Sequence, residues 1–183
     1  AILTEGIAYI GRNAFSGCNK LHQVVLPISI EEIEDSAFEN CSSLKSISLP
    51  MALKTIGAGV LKGTGLRTIE IPKSVFWLGD GLLADCQSME HVTIPENIGR
   101  IPDRMFEGCT SLKKVELHEK LGAIGERAFF GCSSLDFIVI PDSVKQIGQD
   151  AFTNTDKQFI IQCSFGSYAE EYARKNKFKY QLV

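Results

Sequence analysis

The chain has 183 residues, 44% of them hydrophobic and 22% charged, which suffices for one sizeable domain and is too apolar for an intrinsically disordered segment. A net charge of -3 and a pI near 5.7 provide no basic field for nucleic acid or an anionic membrane. No apolar run reaches the roughly 18 residues of a spanning helix, so direct membrane insertion is not expected of this segment, and Ala1–Glu5 lacks the basic flank and apolar core of a signal peptide.

In chain order, the first recognisable element is Ala1-Ile2-Leu3-Thr4, which aligns with the later Val24-Val25-Leu26-Pro27. The chain therefore starts inside a strand and reads as a fragment of a longer array. The first whole unit carries Ile10-Gly11, the apolar pair Ala14-Phe15, Cys18, then Leu21, Val24, Leu26 and Pro27. Its isoleucine recurs as Ile33, Ile56, Leu78, Ile101, Ile124 and Ile147, at steps of 23, 23, 22, 23, 23 and 23 residues, and the other columns follow in register. The 22-residue step falls at Thr64-Gly65-Leu66, in the turn before a strand.

Each Leu-x-x-Val-x-Leu stretch alternates with period 2, as a strand with one buried face does, and the proline after it cannot donate to a ladder. A unit buries roughly seven apolar side chains at about 2 kcal/mol apiece, against about 1 to 2 kcal/mol per residue for ordering its backbone. One unit cannot fold alone, so the units must stack. With one strand per unit the strands pair in parallel about 4.8 Å apart, and seven units form a rod of roughly 35 Å. The expected fold is an α/β repeat: a right-handed solenoid with one parallel β-sheet, short turns or 3-10/helical turns opposite, and a helix-strand cap. The solenoid covers residues 1-163 in about seven repeats, and the cap, continuous with it, covers 164-183. Within the cap, Ser167-Tyr168-Ala169-Glu170 is a capping box opening a helix, Asn176 is its left-handed stop, and Phe178, Tyr180 and Leu182 alternate as a last strand.

Five of the six cysteines, Cys18, Cys41, Cys86, Cys109 and Cys132, share one column, which makes them small interior fillers. Cys163 sits at an inward strand position. Side chains pointing in parallel are poorly placed for disulfides, and no Cys-x-x-Cys pair offers a zinc site. His22, His91 and His118 lie in separate columns with no Ser or Cys placed to be activated. The glycines from Gly57 to Gly65 lack the Gly-Lys-Ser/Thr ending of a phosphate loop. These residues offer no catalytic, metal or cofactor constellation.

Candidate contacts lie on the outside. The outward strand positions, expected to form a concave face, are mostly small and polar, with His91 and Lys114 midway along. Phe137, Val139, Phe159 and Ile160 cluster towards the end, as either a binding patch or, the favoured reading, the seat of the cap. Phe76 and Trp77 occupy a variable pair where other units carry Glu31-Glu32 or Lys54-Thr55. They either mark a partner contact or, the favoured reading, fold over a neighbouring turn.

The unit running nearly intact from Ile124 to Val144, and the Cys163 to Asn176 ending, resemble the BspA-like leucine-rich-repeat family. That resemblance implies a surface or secreted protein of bacteria or protists that binds host proteins or other cells. It implies no fixed binding residues. The expectation is a non-enzymatic, extracellular or cell-surface recognition module, adhesin-like, with a protein or glycan partner and no cofactor. The alternative is a structural spacer or stalk presenting another domain.

Overall fold

The computed structural model describes residues 1–183. Every residue of the counting column is the second residue of a two-residue strand whose first residue faces outward or is half-buried. These are β1 (Tyr9–Ile10), β3 (Glu32–Ile33), β5 (Thr55–Ile56), β7 (Trp77–Leu78), β9 (Arg100–Ile101), β11 (Ala123–Ile124) and β13 (Gln146–Ile147). The Leu-x-x-Val stretches supply a second row: β2 (Gln23–Val24), β4 (Ser46–Ile47), β6 (Thr68–Glu70), β8 (His91–Thr93), β10 (Lys114–Glu116), β12 (Phe137–Val139) and β14 (Ile160–Cys163). All pairing is parallel and in repeat register, as in Ile10 with Ile33 and Val92 with Val115. An isolated bridge from Ile2 to Val25 extends the second row at the start of the chain.

The solenoid fold holds, but the single sheet expected from the sequence becomes two rows of strands, with glycine at most of the steps that join the first row. A Cβ on Gly79 would lie 2.2 Å from the Ala58 nitrogen, and one on Gly148 would lie 2.4 Å from the Glu126 nitrogen. Without side chains there, successive turns of backbone close up. Gly57, Gly79, Gly125 and Gly148 each donate an N–H to the Ile33, Ile56, Ile101 or Ile124 carbonyl of the unit before, at 2.8 to 2.9 Å. Two-residue strands carry too short an alternation to register as a period.

The Ala-Phe segments form a third hydrogen-bonded wall made of turns. Alternate residues bond within the unit and between units: Ala14 and Ser16 donate to Gly11 and Asn13, while Asn13, Phe15 and Gly17 donate to Asp35, Ala37 and Glu39 of the next unit. This alternation requires a left-handed residue twice per turn. Ser36, Arg104, Arg127 and Asp150 hold φ of 52 to 57° in one column, and Gly17, Asn40, Gly63, Asp85, Gly108 and Gly131 fill the other at 58 to 74°.

Inside, one continuous cluster joins 48 buried residues. The rings of Phe106, Phe129 and Phe152 stack at centroid spacings of 5.2 Å, and Phe15 stacks on Phe38 at 5.1 Å. The cysteine column is buried apart from Cys18, and all six thiols are free. They do more than fill space. Cys41, Cys86, Cys109 and Cys132 donate S–H bonds to the carbonyls of Phe15, Leu61, Leu83 and Phe106, at 3.0 to 3.2 Å. Where threonine replaces cysteine, the Thr64 and Thr155 hydroxyls donate to Leu61 and Phe152 carbonyls. Burial pushes the Cys132 thiol up to about 12, so this buried thiol stays protonated at neutral pH.

At the end of the stack, Ser167 caps α1 (Tyr168–Asn176) by accepting the Glu170 N–H. The Glu170 carboxylate accepts from Gly166 and pairs with Arg174, both bonds within 2.7 Å. The left-handed stop falls on Lys177, at φ 61°, rather than on the expected Asn176, whose side chain donates to the Tyr172 carbonyl inside the last turn. Tyr172 and Phe178 cover Phe152, and β15 (Lys179–Leu182) then pairs in parallel with β14. The expected in-out alternation of β15 is absent: all four of its residues are exposed, because it forms the edge and the helix has already covered the final core layer.

Candidate interaction surface

Two outward faces carry side chains used by neither the core nor the ladders. On the second row, Lys114 stands beside His91 and Phe137 beside Ile160 in strand register. Lys114 is tied to Glu116 at 2.7 Å, which lowers the Glu116 carboxyl below its ordinary range through the ammonium hydrogen bond and charge. Phe137 and Val139 are exposed, and Ile160 is half-buried. Phe159, grouped with them from the sequence, is only 2% exposed and does not belong to this surface. Gln158 occupies the place where preceding units carry an inward Leu or Met, and Phe159 turns in to stack on Phe152 at 5.4 Å. The cluster therefore divides: Phe159 seats the cap, while Phe137, Val139 and Ile160 stay outside.

The other face belongs to the first row. Phe76 and Trp77 are 62% and 63% exposed. Trp77 pairs with Thr55 on one side and has no strand partner on the other, since β7 and β9 are not hydrogen-bonded. Pro102 explains part of the gap. It stands where Gly57, Gly79, Gly125 and Gly148 donate backwards, and having no N–H it leaves the Leu78 carbonyl without that bond. The step before it is missing as well. Gly122 donates to Gly99 and Phe76 to Lys54, but Gly99 makes no such bond to Phe76.

An open groove of about 560 Å³ occupies this break, between Phe76-Trp77 and Gly99-Arg100, with Asp35 and Asp80 among its lining. A contiguous depression of about 340 Å³ shares Trp77 and adds Glu32, Glu34 and Arg12. The aspartates are fixed in place. Asp35 accepts the Ala58 N–H at 2.9 Å and pairs with Arg12, and Asp80 accepts the Asp103 N–H at 3.0 Å. Arg100 is bound to Asp103. The sequence features that could have marked this site are Pro102 and the Gly99-Arg100 pair that follows the aromatics by one unit. Asp35, Asp80 and Arg100 themselves looked like ordinary surface charge.

Residues 1–90 and 31–160 match the BspA type leucine rich repeat region, in 6 copies. The chain belongs to this family. Solved structures of leucine-rich repeat proteins share the fold. A leucine-rich repeat protein from Bacteroides ovatus is 28% identical with a TM-score of 0.83, over 99% of this chain and 50% of that one. The T. pallidum leucine rich repeat protein is 25% identical with a TM-score of 0.72, over 99% and 84%. A leucine rich cell surface protein from Faecalibacterium prausnitzii shares the fold at 24% identity and a TM-score of 0.65, over 94% and 61%. The chain thus spans half the length of the Bacteroides protein. A search of curated proteins gives no significant match. No helix is long and apolar enough to cross a membrane.

Proposed function

We propose that this BspA-type segment is a non-enzymatic recognition module of a secreted or cell-surface protein, adhesin-like, and that it binds a protein partner through its outer faces. The observation that carries the reading is the aromatic pair Phe76-Trp77, held more than half exposed over an open groove. Large aromatics at the surface cost solubility and dominate interface energetics where they are met by a partner. Family membership supports the surface location, as does the fold shared with a cell-surface protein. On the second row, Phe137 and Val139 with Ile160, Lys114 and His91 form a subsidiary contact area.

The test compares the wild-type chain with a Phe76→Ser/Trp77→Ser variant for retention of extracellular proteins identified by mass spectrometry. A partner held by the first and released by the second supports the reading; identical retention rules the edge out. A spacer role is the second reading, favoured by the continuity of the core, which joins both ends of the array. A spacer is indifferent to both substitutions.

A further inference from the structure

We infer that the groove at the break in the first strand row takes a cationic side chain, an arginine or lysine presented by an extended segment of the protein partner. This rests on the recognition reading above and gives it a chemistry. Three independent features of the same place converge. The first is aromatic: Phe76 and Trp77 offer ring faces to which a guanidinium or ammonium is drawn by the ring quadrupole. The second is charge. Glu32, Glu34, Asp35 and Asp80 line the two depressions that share Trp77, against Arg12 and Arg100, and both of these cations are engaged by Asp35 and Asp103. Glu32 and Asp80 are without a cationic partner, and the local field is negative. The third is the backbone. Pro102 supplies no N–H and Gly99 gives none to Phe76, so the Phe76 and Leu78 carbonyls lack the inter-unit donors found elsewhere in the row, and a cation brings N–H groups in their place. Gly99 leaves the opposite wall low, since a Cβ there would meet nothing within 4 Å. An anionic ligand would face the carboxylates and find no free guanidinium.

Trp77 is the chain's single tryptophan, so its fluorescence reports on this groove alone. The probes are an end-blocked peptide of alternating arginine and serine, its glutamate counterpart, and a neutral oligosaccharide. The arginine peptide is expected to shift Trp77 emission saturably, and to bind less tightly as ionic strength rises. Asp80→Asn and Glu34→Gln keep the oxygen that accepts the Asp103 or Arg12 N–H while removing the charge, so the fold is retained. Each is expected to weaken the peptide by about fivefold. Arg100→Ala releases Asp103 and strengthens it. Saturation by the oligosaccharide without a response to the arginine peptide overturns the inference in favour of a glycan site. Equal binding of the glutamate peptide, or no response to any probe, overturns it as well. Loss of a protein partner in Phe76→Ser/Trp77→Ser with full retention in Asp80→Asn/Glu34→Gln removes the cation inference and keeps the recognition surface. Retention in both removes the surface reading itself.

Discussion

From Phe106 to Phe152 the units repeat with few departures in their interior columns, whereas from Ile56 to Pro102 several columns change occupant. In the later stretch Phe106, Phe129 and Phe152 stack and Cys109 and Cys132 extend the thiol ladder. In the middle stretch Leu61 and Leu83 interrupt the ring stack, Thr64 replaces cysteine, and Pro102 opens the first row. Burial is nonetheless the same: Leu61, Leu83 and Phe129 are all at 0% exposure. The interior demands volume and a satisfied polar group at the Cys/Thr column, and it accepts different side chains that meet both. The ladder of the first row is less forgiving, and at the β7–β9 step, where it fails, the backbone opens a groove.

The largest effect should come from breaking the ring stack. Phe129→Ala leaves a cavity between two stacked rings and is expected to cost about 3 to 5 kcal/mol in urea unfolding. Leu83→Ala, at the matching position of the middle stretch, should fall nearer the low end of its usual range of about 2 to 5 kcal/mol. Equal losses at the two sites would mean that stacking adds nothing beyond the volume it fills. A smaller contrast separates two glycines. Gly148→Ala forces its methyl against the backbone of Glu126 and should cost about 1 to 3 kcal/mol. Gly99→Ala meets open space and should stay within about 0.5 kcal/mol.

The thiols give a third contrast, read by a thiol reagent. Cys18 is exposed at the start of the column and should react quickly, while the five buried cysteines react only as the chain unfolds. The sign of the pH effect follows from the raised Cys132 value. Folded and unfolded thiols are both protonated below the ordinary value of 9.0, and only the unfolded thiol ionises as pH rises from there to about 12. Stability contributed by the buried thiol is therefore full below pH 9 and declines across that window. Unfolding midpoints that stay flat through it would show the column to be solvated.

Much of the fold was legible because the columns that define it are chemically loud. Ile, Phe, Cys and Pro recurring at one spacing leave a single way to bury them, and Ser167 with Glu170 announced the helix start. The first row of strands was not legible, since a two-residue strand has no period to detect and the close approach beside it, at Gly79 and Gly148, is a property of neighbouring turns. The left-handed wall was hidden for a related reason. Ser36, Arg104 and Arg127 are ordinary residues held at positive φ by bonds to the next unit. At the surface, Phe76 and Trp77 were conspicuous in a polar column, but the groove beside them depends on a hydrogen bond that Pro102 cannot make. Phe159 falls in an outward column yet turns inward, because Gln158 stands where the other units place the inward Leu or Met.

The smallest effect on stability, and the sharpest on the groove, is expected of Pro102→Gly. Glu34 occupies the same column as the glycines and still donates to Ile10 at 2.9 Å, so the missing N–H, and not a side chain, is what separates Pro102 from its neighbours. Glycine restores that donor for the Leu78 carbonyl, a net gain of about 0.5 to 1.5 kcal/mol. Releasing the proline constraint frees the unfolded chain by a comparable amount, about 0.4 to 1 kcal/mol, so the unfolding midpoint should barely move. Hydrogen exchange should change instead, with the new amide at position 102 protected like that of Gly125, and Trp77 emission should shift as β9 closes on β7. If the two strands remain unpaired in this variant, the break is held open from the Phe76-Trp77 side, and the groove is a consequence of its aromatic wall more than of the proline opposite.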